Sequence, residues 1–157
     1  MVIGMSLFGK EPALMKRKTA KGLIFDKSTG QFLLTRFLFS LSHHYGFVGG
    51  GVEKNEKFED ALRREMKEEV GIGGDSIEEI LPLEGEALNR LLLVGQNLTK
   101  MFLVVLSKTP EVRLNWESSD SIWVEPAHIR EHLSPHYTSM IEQIIPANKE
   151  VPELSGL

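Results

Sequence analysis

A chain of 157 residues with 41% hydrophobic side chains is sized for one domain with a sizeable core of its own. Its formal charge of −4 gives no general attraction for nucleic acid or anionic lipid, and the absence of cysteine excludes disulfides and thiolate metal sites, which suits a reducing cytoplasm. No apolar run approaches the roughly 20 residues that a membrane span needs, and the opening MVIGMSLFGKEPALMKRK, interrupted by Lys10 and Glu11, lacks the layout of a secretory leader.

In chain order, residues 19–25 and 31–39 are apolar-rich runs separated by Asp26-Lys27-Ser28-Thr29-Gly30, which predicts a hairpin. Residues 45–48 read as a short strand that delivers the chain into three glycines, at 49, 50 and 51. Phe58 is followed by apolar residues at 61, 62, 66 and 70 with no Gly or Pro before Gly71, the pattern of a helix of about three turns. Asn55 can act as its N-cap, acids at 56, 59 and 60 suit the positive end of the helix dipole, and Gly71 is the expected stop. Strands are predicted at 77–83, 89–94, 99–106 and 121–124, the second and third joined by Gly95-Gln96-Asn97. Residues 126–133 and 135–145 each open on proline with helical apolar spacing. Phe37, Phe39 and Phe47 read as core. This mixture of strands and helices predicts an α/β (α+β) domain at 16–147, with tails at 1–15 and 148–157.

The predicted helix at 58–70 carries an anomaly. Glu65 and Glu69 point within roughly 40° of each other, inside the arc of Phe58, Ala61 and Leu62, and Glu68 lies at its edge. An ordinary amphipathic helix places apolar side chains there. Two carboxylates about 6 Å apart repel by roughly 3 kcal/mol at an effective dielectric near 20, before any desolvation. A divalent cation offsets that, and an all-oxygen set favours Mg²⁺ or Mn²⁺ over Zn²⁺. The competing reading is a solvated charged helix with pairs such as Glu59 with Arg63 and Arg64 with Glu68.

The ordered pattern decides between them. It runs Gly50, five residues, Glu56, seven residues, Arg64, Glu65, Met66, one residue, Glu68, Glu69, one residue, Gly71, Ile72. This resembles the Nudix box, the signature of hydrolases that cleave a nucleoside diphosphate linked to another moiety. The resemblance implies the Nudix fold, a mixed curved β-sheet sandwiched between α-helices, with the box helix on one face and the C-terminal helix on the other. It also implies that Gly50 (through its carbonyl), Glu65, Glu68 and Glu69 hold the metal, and that Glu56 pairs with Arg64, which in turn orients Glu65. Glu69, Glu68 or Glu117 is then the base for a water attacking phosphorus, with Asp120 a second choice to Glu117 in the loop before Ile122-Trp123-Val124. Family members commonly have Pro before the two glycines and a long polar residue after them, where this chain has Val48 and Gly51.

Candidate substrate contacts are Arg36, His44, Tyr45 and Gly51, with His43 and Lys21 as weaker ones. The expected substrate is a small nucleotide, a nucleoside triphosphate or nucleotide sugar first. The Tyr or Pro that some dinucleoside polyphosphate and ADP-ribose members carry beyond the box is absent from 86–90. Two alternatives stand beside this reading. One is an RNA 5′ pyrophosphohydrolase, which the acidic balance does not favour, and the other is a non-catalytic nucleotide-binding module. No membrane partner is expected, and a homodimer is left open.

Overall fold

The structure, a computed structural model, describes residues 17–40, 43–84, 93–94 and 97–145. The expected tails, most of the expected strand at 89–94, and the region 86–90 lie outside these residues.

One mixed sheet organises the domain. Strand β1 is Arg17–Asp26, β2 Gln31–Phe37, β3 Val48–Gly51, β4 Ile77–Leu83, β5 Leu93–Val94, β6 Asn97–Leu106 and β7 Ser118–Val124. The order is β4-β6-β1-β2-β7, with β3 added on β1 and β5 on β6. Among the described strands only β1 and β6 pair in parallel, from Arg17 opposite Asn97 to Asp26 opposite Leu106. Side chains alternate across this sheet. Ala20 and Ile24 of β1 join Leu33, Val104 and Leu106 in one core, while Leu23 and Phe25 join Phe32, Leu34 and Leu103 in the other.

Each face is covered by helix. Helix α1, Phe58–Val70, buries Ala61, Leu62, Met66 and Val70 on the first core. On the other face, the four-residue α2, Ile129–His132, follows a 3₁₀ turn at Pro126–His128, and α3, Pro135–Ile144, contributes Met140 and Ile141. At about 1.5–3 kcal/mol for each large side chain fully buried, these stripes outweigh the intrinsic helix propensity of segments this short. The three-layer sandwich is the expected one.

Several local expectations change. The cap position of α1 is Lys57, in extended backbone without a side-chain cap, rather than Asn55. Asn55 sits at φ 64 inside a turn closed by Glu56 N–H on the Glu53 carbonyl (3.1 Å), so it lies two residues too early to cap. The far end is as expected, with Gly71 and Ile72 N–H returning to the carbonyls of Lys67 and Met66. The expected strand at 45–48 begins later and runs through the glycines, because Tyr45 and Gly46 make only isolated bridges to Leu133 and Thr35. Strand β2 ends at Phe37, where Ser40 N–H closes a turn on the Phe37 carbonyl. That turn carries Phe37 and Phe39 out of both cores; they are 55% and 68% exposed and stack edge-on at 5.9 Å, whereas Phe47 is buried as expected.

The sheet opens where the site forms. One edge of β1 is shared, with β3 pairing from Thr19 opposite Gly51 to Gly22 opposite Val48, and β2 pairing from Ile24 opposite Leu33 onward. Strands β2 and β3 therefore diverge; among the described residues, the bridge between Thr35 and Gly46, just before β3, ties this part of the chain to β2. Gly49 makes the close approach possible. At φ 146, a Cβ there would stand 2.0 Å from the Ala20 carbonyl oxygen. Gly49→Ala is expected to lower stability by more than about 2 kcal/mol, read as a shift of the urea midpoint at constant m-value.

Candidate active site

A pocket of about 480 Å³ occupies the divergence of β2 and β3. Glu65 and Glu69 of α1 form part of its wall, together with Gly49, Gly50, Gly51 and Glu117. Glu69 is 8% exposed and held from three strands. Thr35 of β2 and Ser118 of β7 donate their hydroxyls to its Oε1 (3.2 and 3.1 Å), and Gly49 N–H of β3 donates to Oε2 (3.2 Å). Three donors on one buried carboxylate meet the requirement that a buried charge be hydrogen-bonded.

Arg64 organises the rest. Its Nε and Nη2 form a two-pronged pair with Glu56 (3.0 and 3.0 Å), Nη2 also donates to the Gly51 carbonyl (2.9 Å), and Nη1 reaches Glu65 (2.9 Å) and Glu68 (3.4 Å). Such a fork fixes the guanidinium plane and through it the Glu65 carboxyl. Burial lifts the Glu65 carboxyl above the ordinary range, and Arg64 opposes that. Gly50 leaves the space Glu65 needs, since a Cβ there would meet its carboxyl carbon at 2.6 Å.

The predicted residues separate into groups. His44, Tyr45, Gly50, Gly51, Glu65, Glu69 and Glu117 line the pocket. Glu68 does not; its side chain is 57% exposed and turned to Arg64, so two of the three helix carboxylates face the pocket. Arg36 lies 5.7 Å over the Tyr45 ring with Nε on Ser119, away from the pocket wall. Asp120 accepts the Tyr45 hydroxyl (2.5 Å), and this bond holds its carboxyl below the usual aspartate range. Asp120 is thus engaged elsewhere, whereas Glu117 reaches the pocket. His43 is exposed and set apart.

Three contributors escaped the sequence reading of the site's centre: Thr35, Ser118 and Tyr137. A hydroxyl in the apolar run Phe32-Leu33-Leu34 was the available signal for Thr35. Tyr137 lines the pocket from α3, its phenol raised first by burial and then by Glu69.

The donor set is oxygen throughout, the chemistry a hard divalent cation takes. Among the described residues no three acidic or histidine side chains are gathered tightly enough to form a ready-made metal cage. Glu65, Glu69 and the Gly50 backbone nonetheless meet at one wall, and the absent Cβ of Gly50 leaves that wall open. The residues fit such an ion as part of a site that shares it with a ligand.

The model of the NUDIX domain matches residues 15–144. The chain belongs to the Nudix family. Among curated proteins, this Nudix chain is 32% identical over 93 residues to the nucleoside triphosphatase NudI of Escherichia coli O139:H28 (strain E24377A / ETEC). That match covers 52% of this chain and 62% of the relative, so the chain spans less than two thirds of the relative's length. Among solved structures, a C. elegans Ap4A hydrolase binary complex superposes with TM-score 0.65 at 22% identity, covering 90% of this chain and 99% of the other. The E. coli dihydroneopterin triphosphate pyrophosphohydrolase gives 0.61 at 20% identity, with coverages of 82% and 94%. These two likenesses establish the Nudix fold.

Tyr45→Phe tests the Asp120 arrangement. Because the folded-state pKa of Asp120 is depressed, its bond adds stability above the unfolded aspartate pKa, and this is lost as pH falls through the folded value. Removing the hydroxyl is expected to move the Asp120 titration upward, toward the ordinary range, in carboxyl-detected NMR.

Proposed function

We propose that this Nudix protein is a metal-dependent hydrolase that breaks the diphosphate bond of a nucleoside diphosphate joined to a second group, with a nucleoside triphosphate as the leading substrate and a nucleotide sugar next. The observation that carries the proposal is the Glu69 carboxylate, buried at a pocket wall and fixed from three strands beside Glu65. A structural helix has no use for two carboxylates facing the sheet. The activity of the similar nucleoside triphosphatase supports the substrate choice.

Nudix hydrolases generally need a divalent cation. We assign Mg²⁺, or Mn²⁺ in its place, to Glu65, Glu68, Glu69 and the Gly50 carbonyl; Glu68 reaches it by leaving its long bond to Arg64. When bound, that ion screens the diphosphate and makes nearby water more acidic. The chain's own residues do the rest. Glu56 holds Arg64, and Arg64 keeps Glu65 aimed at the pocket. Glu69 or Glu117 accepts the proton of the attacking water, with Glu68 behind them, and the new P–O bond forms as the anhydride P–O bond breaks. His44, Tyr45 and the Gly51 backbone border the substrate, while Arg36 acts through the Tyr45 ring instead of touching phosphate. The products are a nucleoside monophosphate and either pyrophosphate or the phosphorylated second group.

A pocket of about 480 Å³ walled by carboxylates suits a small nucleotide better than an RNA end. Among the described residues no helix is long and apolar enough to cross a membrane. A cytoplasmic site of action belongs to the proposal and rests on the cysteine-free sequence.

The test is Mg²⁺-dependent product release across nucleoside triphosphates, nucleotide sugars, dinucleoside polyphosphates and triphosphorylated RNA. Glu69→Gln is expected to lower kcat on the preferred substrate by on the order of 10²–10³ with the fold retained. Undiminished turnover by that variant would remove Glu69 from the chemistry. Nucleotide binding without turnover in the unaltered protein would favour a binding module.

A further inference from the structure

Lys21 of β1 carries a chemistry that conflicts with its place in the sheet. It lies two positions before Leu23 and four before Phe25, on the strand face that packs into the α3-side core, where an apolar side chain would be expected. Its side chain instead borders the same pocket as Glu65, Glu69 and Glu117. The ammonium donates to the carbonyls of Phe47 (3.4 Å) and Gly49 (3.3 Å). Both bonds are long for a charged donor, which ordinarily settles near 2.7–2.9 Å on a strong acceptor. An ammonium carries three donors, and two weak carbonyl contacts leave it under-used.

No ion pair completes its set. Among the described residues no carboxylate lies within 4.0 Å of this nitrogen, although Glu69, Glu65 and Glu117 are close enough to favour its charged form against the opposing effect of burial. The neighbouring cation, Arg64, is by contrast saturated by Glu56, Glu65 and the Gly51 carbonyl. A partly buried cation lacking a direct anionic partner is costly unless an anion arrives to share the cavity. A phosphate oxygen has the required charge, and Lys21 enters the pocket from the α3-side face of β1 whereas Glu65 and Glu69 enter it from α1.

We propose that Lys21 is a catalytic residue of the pocket, donating from its third N–H to a non-bridging oxygen of the substrate's phosphate chain, on the side opposite Glu65 and Glu69. The inference rests on the hydrolase reading for its substrate, but the binding of a bare phosphate chain tests it separately. The contact lets the chain neutralise polyphosphate charge from β1 while the α1 carboxylates handle the other side. It also assigns a purpose to the two carbonyl bonds. They hold the ammonium in place before substrate enters, so little side-chain freedom is lost on binding.

The competing role is structural, in which Lys21 merely fastens β3 through the Phe47 and Gly49 carbonyls. Two variants separate the roles. Lys21→Met keeps the length of the stem and removes the charge. Lys21→Gln removes the charge but keeps an N–H donor, and it serves if the Met protein does not fold. Binding of inorganic tripolyphosphate in Mg²⁺, measured by calorimetry, is expected to weaken about 10- to 100-fold in the folded variant, the range of one hydrogen bond to a charged group. Binding of the unphosphorylated nucleoside should stay as in the unaltered protein, and kcat/KM on the preferred nucleotide should fall by a similar factor. Lys21→Arg, which keeps the charge, is expected to recover part of both losses.

Wild-type tripolyphosphate affinity in a folded, uncharged variant would overturn the proposal. So would failure of both uncharged variants to fold while Lys21→Arg folds with weakened tripolyphosphate binding, since that pattern marks a fastening role. If the unaltered protein hydrolyses nothing, the enzyme reading fails, and the tripolyphosphate comparison still decides whether Lys21 receives phosphate.

Discussion

Everything at the site depends on a stretch of backbone passing through a space too narrow for side chains. Strand β3 runs between β1 and the carboxylate face of α1. A Cβ at Gly49 would strike the Ala20 carbonyl, and one at Gly50 would strike Glu65. Because the chain can pass there bare, its polar atoms face outward in both directions. The Gly49 N–H reaches Glu69, the Gly51 carbonyl reaches Arg64, and the Gly49 carbonyl reaches Lys21. One short strand thus touches Glu69, Arg64 and Lys21 at once.

That arrangement also explains how a folded chain tolerates so much negative charge near its core. Glu69 survives burial through two hydroxyls and a backbone N–H, without a counter-charge in contact. Glu65 relies on Arg64, which is itself committed to Glu56. The two solutions differ in what they leave available. A carboxylate held by neutral donors keeps its full charge for a ligand, whereas one paired with a guanidinium has part of its field already answered. The Nudix site therefore contains, on adjacent turns of the same helix, one carboxylate held by neutral donors and one paired with a guanidinium.

The helix and its chemistry were legible in the sequence because both are local. Spacing within 58–70 determines which side chains share a face, and the helix ends where the N–H groups of Gly71 and Ile72 return to carbonyls four and six positions behind them. The sandwich came from the resemblance, and the unbroken buried runs that end β1 and β6 agree with a sheet covered on both faces. What could not be read depends on pairing between distant segments. Thr35 and Ser118 reach Glu69 only because β2 and β7 are neighbours in a particular register, with Phe37 opposite Ser118 after a bulge. Asn55 failed as a cap because a turn closed by Glu53 and Glu56 set the start of the helix two residues later. Phe37 and Phe39 left the core for a similar reason, the end of strand pairing at Phe37. Of the expected contacts, Arg36 and Asp120 were displaced from the pocket by their mutual attachment to Tyr45.

Strand β1 has neighbours along both edges, β6 throughout on one side and β3 followed by β2 on the other. The pocket floor therefore belongs to the part of the fold that opens last, in contrast to the turn at 37–40 and the exposed ring of Trp116. Such a division separates two evolutionary fates. Residues at the rim can be exchanged to suit a different base or sugar without loosening the chemistry beneath, while substitutions in the floor are felt at once by the whole molecule. A scaffold partitioned in this way can diversify its substrates while its central reaction stays the same.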